Sequence, residues 1–309
     1  MEKPYRDLSG YYRSKFGTKV AKIALDGGFT CPNRDGSLAL GGCAFCSPHG
    51  SGEFADRAAC GSPDAIRAAV LSRLASPHAR RADRFITYFQ AFSSTYAPLP
   101  VLEARYRAAL CDDRIVGLSV GTRPDCVNGE VVNLLADIAK THYVSVELGL
   151  QTASDTVASR MNIACPRSCF AEATQMLAAC GIDTVAHIMI GLPGEGKEDF
   201  CRTMRFVNSL PVTGVKFHSV YVLRGTALAD LYERGEYMPL SLDEYADAVA
   251  DLIALARPDL VIHRLGGDAP KAALLAPSWN ADKRAALDTI HARIAARKIR
   301  QGCSFSAEK

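Results

Sequence analysis

The sequence predicts an α/β fold, a partial (βα)6 TIM-like barrel with a carboxy-terminal α/β extension, and two patterns support this. Six apolar runs rich in β-branched and aromatic residues recur along the chain, and most start about 30 residues apart, which is the spacing of βα units. Amphipathic helical patterns lie between them, an alternation that favours a parallel sheet. Six units are too few for a complete eight-unit barrel of about 250 residues, so we expect an open barrel.

The strand candidates share a high content of Val, Ile, Tyr and Phe. They span residues 20–28, 85–92, 115–122, 143–151, 184–192 and 215–223. The helix after the first strand begins with Ser62 as its cap and Pro63 at the first helical position. Helical patterns in the later gaps complete the predicted βα units.

The chain beyond residue 232 has a different pattern. Ser241 and Glu244 form a capping box that starts a helix, residues 260–267 predict a strand, and residues 280–299 predict a final helix rich in Lys and Arg. We therefore divide the chain into an amino-terminal segment (1–16), a core (17–232) with a cysteine-rich loop (29–54), and an extension (233–309) that ends in the basic helix.

Composition limits the class of protein. The 309 residues are 48% hydrophobic, enough for a large core, and the net charge of +3 permits an anionic partner without requiring one. The amino terminus lacks the apolar core of a signal peptide, and no run approaches the ~20 apolar residues of a membrane span. We expect a cytoplasmic protein that does not enter a membrane.

Three of the eleven cysteines are clustered. In a reducing compartment such cysteines are better interpreted as metal ligands than as disulfides. Cys31, Cys43 and Cys46 have the spacing C-x11-C-x2-C in a glycine-rich loop directly after the first strand. Three thiolates fit an iron–sulfur cluster with one open coordination position, whereas His49 as a fourth ligand would complete a structural zinc site. The spacing leaves both open, but the position favours the cluster, because active-site loops of parallel barrels follow the strands.

Polar residues also follow or end the other predicted strands. Because the carboxyl ends of parallel strands meet at one end of a barrel, we expect these residues to share the active site. They include Gln90, Arg123, Glu147, Gln151 and Glu195, together with Lys216 and His218 on the sixth strand.

The motifs resemble a known family. LDGGFTCPNRDG, GGCAFC and GSGEF are similar to the cluster loop of the radical SAM superfamily, and closely to bacterial YhcC/YtqA-type radical SAM proteins. The resemblance continues through YFQAFSSTYAP, VGTRPD, ELGLQT, HIMIGLPGE and RLGGDAP, so it covers almost the whole chain. TRPD and the GLQ segment are more distantly similar to the Elongator catalytic subunit and to oxygen-independent coproporphyrinogen oxidase.

This resemblance implies a [4Fe–4S] cluster on Cys31, Cys43 and Cys46, with S-adenosylmethionine (SAM) bound at the fourth iron. An electron, from a donor such as flavodoxin or ferredoxin, would cleave SAM to a 5′-deoxyadenosyl radical that abstracts a hydrogen atom from the substrate. It implies no particular catalytic residue. By position, Gln90 is predicted to contact the methionine end of SAM, and Glu147 and Gln151 its ribose or carboxylate. Ile190, Gly191 and Glu195 are predicted at the adenine, and Arg123 is a further predicted SAM contact.

Two segments depart from the family pattern. Phe89-Gln90-Ala91 replaces a Gly-Gly-Glu element that grips the SAM amino group, with Gln90 as the substitute. Asn162-Ile163-Ala164-Cys165 replaces Asn-Arg-Gly-His, and Cys165 and Cys169 are left without an assigned role.

Three hypotheses about function follow. The Elongator-like segments suggest modification of a tRNA wobble uridine, with the basic last helix contacting phosphates. The second hypothesis is a radical oxidoreductase acting on a small molecule or a tetrapyrrole. A zinc-containing binding protein on a degenerate barrel is a third, disfavoured because all six strand ends keep polar residues.

Overall fold

The computed structural model describes residues 3–50, 52–57 and 61–306. Within those residues, seven parallel strands curl into a half-barrel in the spatial order β1-β2-β3-β4-β5-β6-β8. These strands are β1 (Val20–Leu25), β2 (Arg84–Phe89), β3 (Ile115–Thr122), β4 (Tyr143–Gln151), β5 (Asp183–Ile190), β6 (Gly214–Ser219) and β8 (Val261–Arg264). A short antiparallel ribbon pairs β7 (Val222–Leu223) with β9 (Leu274–Ala276).

Helices follow most of the strands. They are α1 (Leu8–Phe16), α2 (Pro63–Ala75), α3 (Leu99–Ala109), α4 (Gly129–Ala139), α5 (Asp155–Arg160), α6 (Arg167–Ala179), α7 (Lys197–Asn208), α8 (Ala227–Glu233), α9 (Leu242–Leu255) and α10 (Lys283–Ala296). The predicted caps are present, since the Ser62 side chain accepts from the Ala65 amide, and Ser241 and Glu244 form the capping box of α9. Among the helices described, none has both the length and the apolar character needed to cross a bilayer.

The predicted partial barrel is confirmed, with one strand more than expected. The segment predicted as a strand of the extension, now β8, pairs in parallel with β6 and continues the sheet. An unpaired edge on β6 would leave its backbone hydrogen-bonding groups exposed, and β8 covers it. The domain boundary at residue 232 stays a prediction.

The two faces of the sheet differ in character because side chains alternate along each strand. On β4, Val144, Val146 and Leu148 are buried in the main hydrophobic core. The intervening Ser145 and Glu147 belong to the opposite face, where they hydrogen-bond polar residues of other strands. The half-barrel therefore has an apolar outer face under the helices and a polar inner face.

The basic last helix is present, but its charge is partly neutralised. Arg293 on α10 forms ion pairs with Asp243 and Asp247 of α9, and Arg297 pairs with Asp247 and Asp251. These arginines hold α10 against α9. Contact between this basic helix and phosphates stays a prediction.

Candidate active site

A cavity of about 380 Å³ opens at the carboxyl ends of the strands. The loop after β1 lines it with Cys31, Cys43 and Cys46, as the sequence predicted. Gln90, Arg123, Glu147 and Gln151 also line it, together with His187, Met189, Lys216 and His218. The extension contributes Arg264, Asp268 and Lys283. Core and extension thus form one site.

The three cysteines lie near one another at this cavity. Burial raises the pKa of the Cys43 thiol to about 12, and the neighbouring Cys46 and Cys31 add to this shift while Arg123 opposes it. Among the described residues, no three His, Cys, Asp or Glu side chains converge closely enough to share one metal ion. His49 is exposed and is not a lining residue, so the arrangement does not favour the zinc interpretation.

The cysteine loop is fastened to the segment after α5. Asn33 donates to the Asn162 carbonyl at 2.5 Å and to Cys43 Sγ at 3.5 Å. Asn162 in turn donates to the carbonyls of Leu40 and Gly42, at 3.1 and 2.8 Å. Two amide side chains thereby fix the loop. The sequence analysis noted Asn162 only because the segment after it departs from the family pattern. No local pattern in the sequence indicates the hydrogen bonds that Asn162 forms with the cysteine loop.

Arg123 is locked beside the cysteines. Its Nε and one terminal nitrogen donate to both carboxylate oxygens of Asp125, at 2.9 and 2.7 Å, and its other contacts are the carbonyls of Ile163 and Ala164. Burial alone would lower its pKa, but Asp125 outweighs this and raises it. A fixed positive charge therefore lies next to the thiols. Its direct contact with SAM stays a prediction.

Glu147 lies at the centre of a buried charge network. One carboxylate oxygen accepts from Lys22 at 2.5 Å, and the other from Lys216 and, at 2.9 Å, from His187. The ammonium groups of both lysines lie over the Tyr88 ring, at 4.6 and 4.7 Å from its centroid. Five strands supply these groups, so the parallel register assembles the network.

The network keeps Glu147 ionised. Burial opposes its charge, but Lys216 and Lys22 outweigh burial and hold its pKa well below the usual range. Burial lowers the pKa of Lys216 to about 8 and also lowers the pKa of His187. The carboxylate is already occupied by cations, and its predicted contact with SAM stays untested.

Gln151 has a strained backbone at the end of β4. Its φ is +66°, in the left-handed region that non-glycine residues seldom adopt, and the β4–β5 register shifts between Gly149 and Gln151. A Cβ on Gly149 would lie 2.8 Å from Gln151 Nε2. Glycine at 149 thus leaves room for the Gln151 amide at the cavity. Strain of this kind is concentrated at binding sites.

Three predicted residues are not among the lining residues described. Ile190 packs in the main hydrophobic core, and Gly191 accepts from the Tyr237 hydroxyl at 2.7 Å. Glu195 accepts from Thr152, and burial raises its pKa to about 7. Met189, which the sequence analysis did not single out, lines the cavity from β5 instead. The role of these three residues toward adenine stays a prediction.

Comparison with known families assigns the fold and the enzyme class. A family model described as the Radical SAM superfamily matches residues 31–207, more than half of the chain. The chain belongs to the radical SAM superfamily. A second model, the Radical_SAM C-terminal domain, matches residues 212–296. The enzyme class predicted from the cysteine loop is thus confirmed, and the family uses a [4Fe–4S] cluster and SAM.

Two relatives match this radical SAM protein along most of their length. Uncharacterized protein YtqA of Bacillus subtilis is 39% identical over 98% of this chain and 94% of its own. Protein YhcC of Escherichia coli is 36% identical over 90% of this chain and 88% of its own. The predicted resemblance to YhcC and YtqA is confirmed.

More distant matches include a tRNA-modifying relative and two solved structures. A tRNA uridine(34) acetyltransferase of Dehalococcoides mccartyi is 31% identical over 54% of this chain, but only 37% of that protein is covered. The solved structure of Methanocaldococcus infernus Elp3 superposes with a TM-score of 0.67 over 91% of this chain and 64% of that one, at 17% identity. Streptococcus suis SuiB bound to S-adenosylmethionine superposes with a TM-score of 0.53 over 83% and 53% of the two chains, at 13% identity. The two structures support the fold alone.

The residues present fit the family's cofactors. A four-iron cluster binds its cysteines through different irons, which suits three neighbouring thiols that do not converge on one point. Cys31, Cys43 and Cys46 would hold the cluster, Asn33 donates toward Cys43, and Arg123 would balance the negative charge of the cluster. When bound, the cluster and SAM supply radical chemistry. The protein's part is to orient the reactants and to exclude water within the half-barrel.

Cys165 is part of the cavity, although the sequence assigned it no role. It lines the wall beside Arg123, and burial raises its pKa to about 12, so its thiol is protonated near neutral pH. Cys169 lies in the first turn of α6 and is not a described lining residue. The pair forms no metal site with other described residues.

Gln151→Gly should weaken cofactor binding while leaving the stability of the protein nearly unchanged. Glycine relieves the positive φ, so we expect the free energy of unfolding to stay within about 1 kcal/mol of the wild-type value. Loss of the amide should weaken SAM binding about tenfold, since a hydrogen bond to a charged ligand contributes about 1.5–3 kcal/mol. Equilibrium dialysis with SAM at matched iron content measures this. Unchanged affinity would contradict the predicted contact.

Proposed function

We propose that this radical SAM enzyme modifies the wobble uridine of tRNA. The observation that carries the proposal is the match of over half of the chain to a protein whose name specifies uridine 34 of tRNA. The electron would come from a small redox protein such as flavodoxin or ferredoxin. A substrate that enters at the carboxyl ends of the strands, where the cavity opens, would meet the cofactors there.

The surface beside the cavity supports an anionic partner. Arg224 follows Leu223, a lining residue, and its backbone amide donates to the Ala273 carbonyl, which places it beside the segment that carries Lys271. Both side chains are exposed, and neither forms an ion pair with any described residue. These two residues are candidate phosphate contacts in addition to the basic last helix.

The combined change Arg224→Gln and Lys271→Gln should weaken tRNA binding. Each lost phosphate contact lowers the slope of log affinity against log salt by about one, so the slope should fall by about one to two. Binding of tRNA from a strain that lacks the gene is measured by filter retention between low and physiological salt. Deoxyadenosine formation with that tRNA should fall in parallel.

Arg67→Gln with Arg205→Gln is the matched control, since both arginines are exposed on helices, α2 and α7, that follow other strands. That variant should keep the wild-type slope. Wobble-uridine analysis of tRNA from the deletion strain is the direct test. An unaltered nucleoside profile would contradict the tRNA proposal and favour a small-molecule or tetrapyrrole substrate for the same radical chemistry.

A further inference from the structure

A row of basic side chains crosses the inner face of the sheet from β5 to β8. His187 on β5 is the register partner of Lys216 on β6, and Lys216 is the partner of Arg264 on β8. Glu147 contacts the first two but forms no ion pair with Arg264 among the described contacts. The charge of the row is therefore least balanced at Arg264, on the edge of the sheet opposite β1.

Arg264 lacks a carboxylate of its own. Its Nε donates to the Gly266 carbonyl, while a terminal nitrogen is 3.9 Å from Asp268. Nζ of Lys283, at the start of α10, lies 2.7 Å from the same Asp268 carboxylate. One acid thus serves two cations, both of which line the cavity. Such an arrangement attracts an anion, and the planar guanidinium suits two oxygens of one group.

Two neighbouring polar atoms lack partners among the described residues. Nε2 of His218, a cavity-lining residue on β6, is buried with no hydrogen-bond partner in the part of the chain that the structure describes. Nδ2 of Asn280 is likewise buried without a described partner, although Oδ1 of Asn280 accepts from Ser219 at 2.8 Å. Asn280 lines a small adjoining space together with Arg264 and Lys283. Buried polar atoms are rarely left unpaired, and a bound ligand would pair them.

We propose that Arg264 and Lys283, with His218 and Asn280 beside them, bind an anionic group of the substrate, a phosphate or a carboxylate. This site deepens the proposed function, on which its link to tRNA rests. It assigns substrate recognition to β8 and α10, the part of the cavity that belongs to the extension. Cofactor binding would then belong to the cysteine loop and the ends of β2 to β5.

Anion binding tests the site without tRNA. Inorganic phosphate and acetate are titrated calorimetrically into anaerobic protein that carries its cluster and saturating SAM. We expect at least one of the two to bind at a single site. Arg264→Gln should weaken that binding about tenfold or more, because a charged hydrogen-bonding partner is lost. Preference for phosphate would indicate the nucleic acid backbone as the source of the group, and preference for acetate a carboxylate on the reacting part of the substrate.

Asp268→Asn should increase the affinity for anions, a result that misfolding of the variant could not produce. Removing the acid that competes for both cations should tighten anion binding severalfold. Arg284→Gln is the control, since Arg284 is exposed on α10 next to Lys283 and forms no ion pair with a described residue. It should bind anions as the wild type does.

Three results would overturn the proposal: no binding of either anion up to ~50 mM, wild-type affinity in Arg264→Gln, or anion binding that occurs only when SAM is left out. The last would assign the cations to the cofactor. If anions bind as expected but tRNA does not, the site stands and only the tRNA proposal fails.

Discussion

Replacing any one of Cys31, Cys43 and Cys46 with alanine should abolish the iron–sulfur cluster and all cleavage of SAM. The three thiols meet at one cavity, and the loop that carries them is fastened by Asn33 and Asn162, so two remaining cysteines cannot move to compensate. After anaerobic reconstitution the wild-type protein should contain about four irons per chain and absorb broadly in the visible range. Each variant should contain almost none and form no 5′-deoxyadenosine.

The matched control is Cys165→Ala with Cys169→Ala. Cys165 lines the same cavity, but neither residue is in the three-cysteine motif. This variant should keep its iron. Iron that survives loss of Cys31 but disappears with Cys165 and Cys169 would show that the wrong cysteines were assigned, and zinc without iron in the wild type would contradict the cluster.

Glu147→Gln should destabilise the protein by about 3–5 kcal/mol, because it leaves buried cations without their counter-charge. Lys22, Lys216 and His187 all contact this carboxylate, whose side chain is fully buried. Urea unfolding of the cluster-free protein under anaerobic conditions measures the loss. SAM binding should fall as well if Glu147 also contacts the cofactor.

Two further variants test whether the loss of charge pairing causes this destabilisation. Glu147→Gln combined with Lys216→Met removes a positive charge with the negative one and should recover part of the stability. Asp243→Asn is the exposed counterpart, since Asp243 pairs with Arg293 but is 77% exposed, and it should cost less than about 1 kcal/mol. A Glu147→Gln variant as stable as Asp243→Asn would refute the network as a source of stability.

The elements of the fold were accessible from the sequence because they depend on short-range patterns. Alternation and apolar runs mark all six predicted strands, and residues 115–122 and 143–151 coincide with β3 and β4. The helix caps at Ser62 and Ser241 have signatures within three residues. Assignment of β8 to the main sheet was missed, because pairing with β6 depends on which edge is unpaired in three dimensions.

The sequence by itself determined the open α/β barrel and the cysteine loop, because strand periodicity and the C-x11-C-x2-C spacing are local properties of the chain. The class of chemistry followed from the resemblance of its motifs to a known family, since the spacing alone left a structural zinc site open. Only the tertiary structure decided how charges combine. Lys22 and Lys216 lie 125 and 69 residues from Glu147, and Asn162 lies 120 residues from Gly42. The neutralisation of α10 by α9 and the unbalanced charge at Arg264 also depend on the tertiary structure. The strength of an ion pair depends on distance and burial, and residues far apart in the chain reach their distance and burial only when the sheet and helices pack.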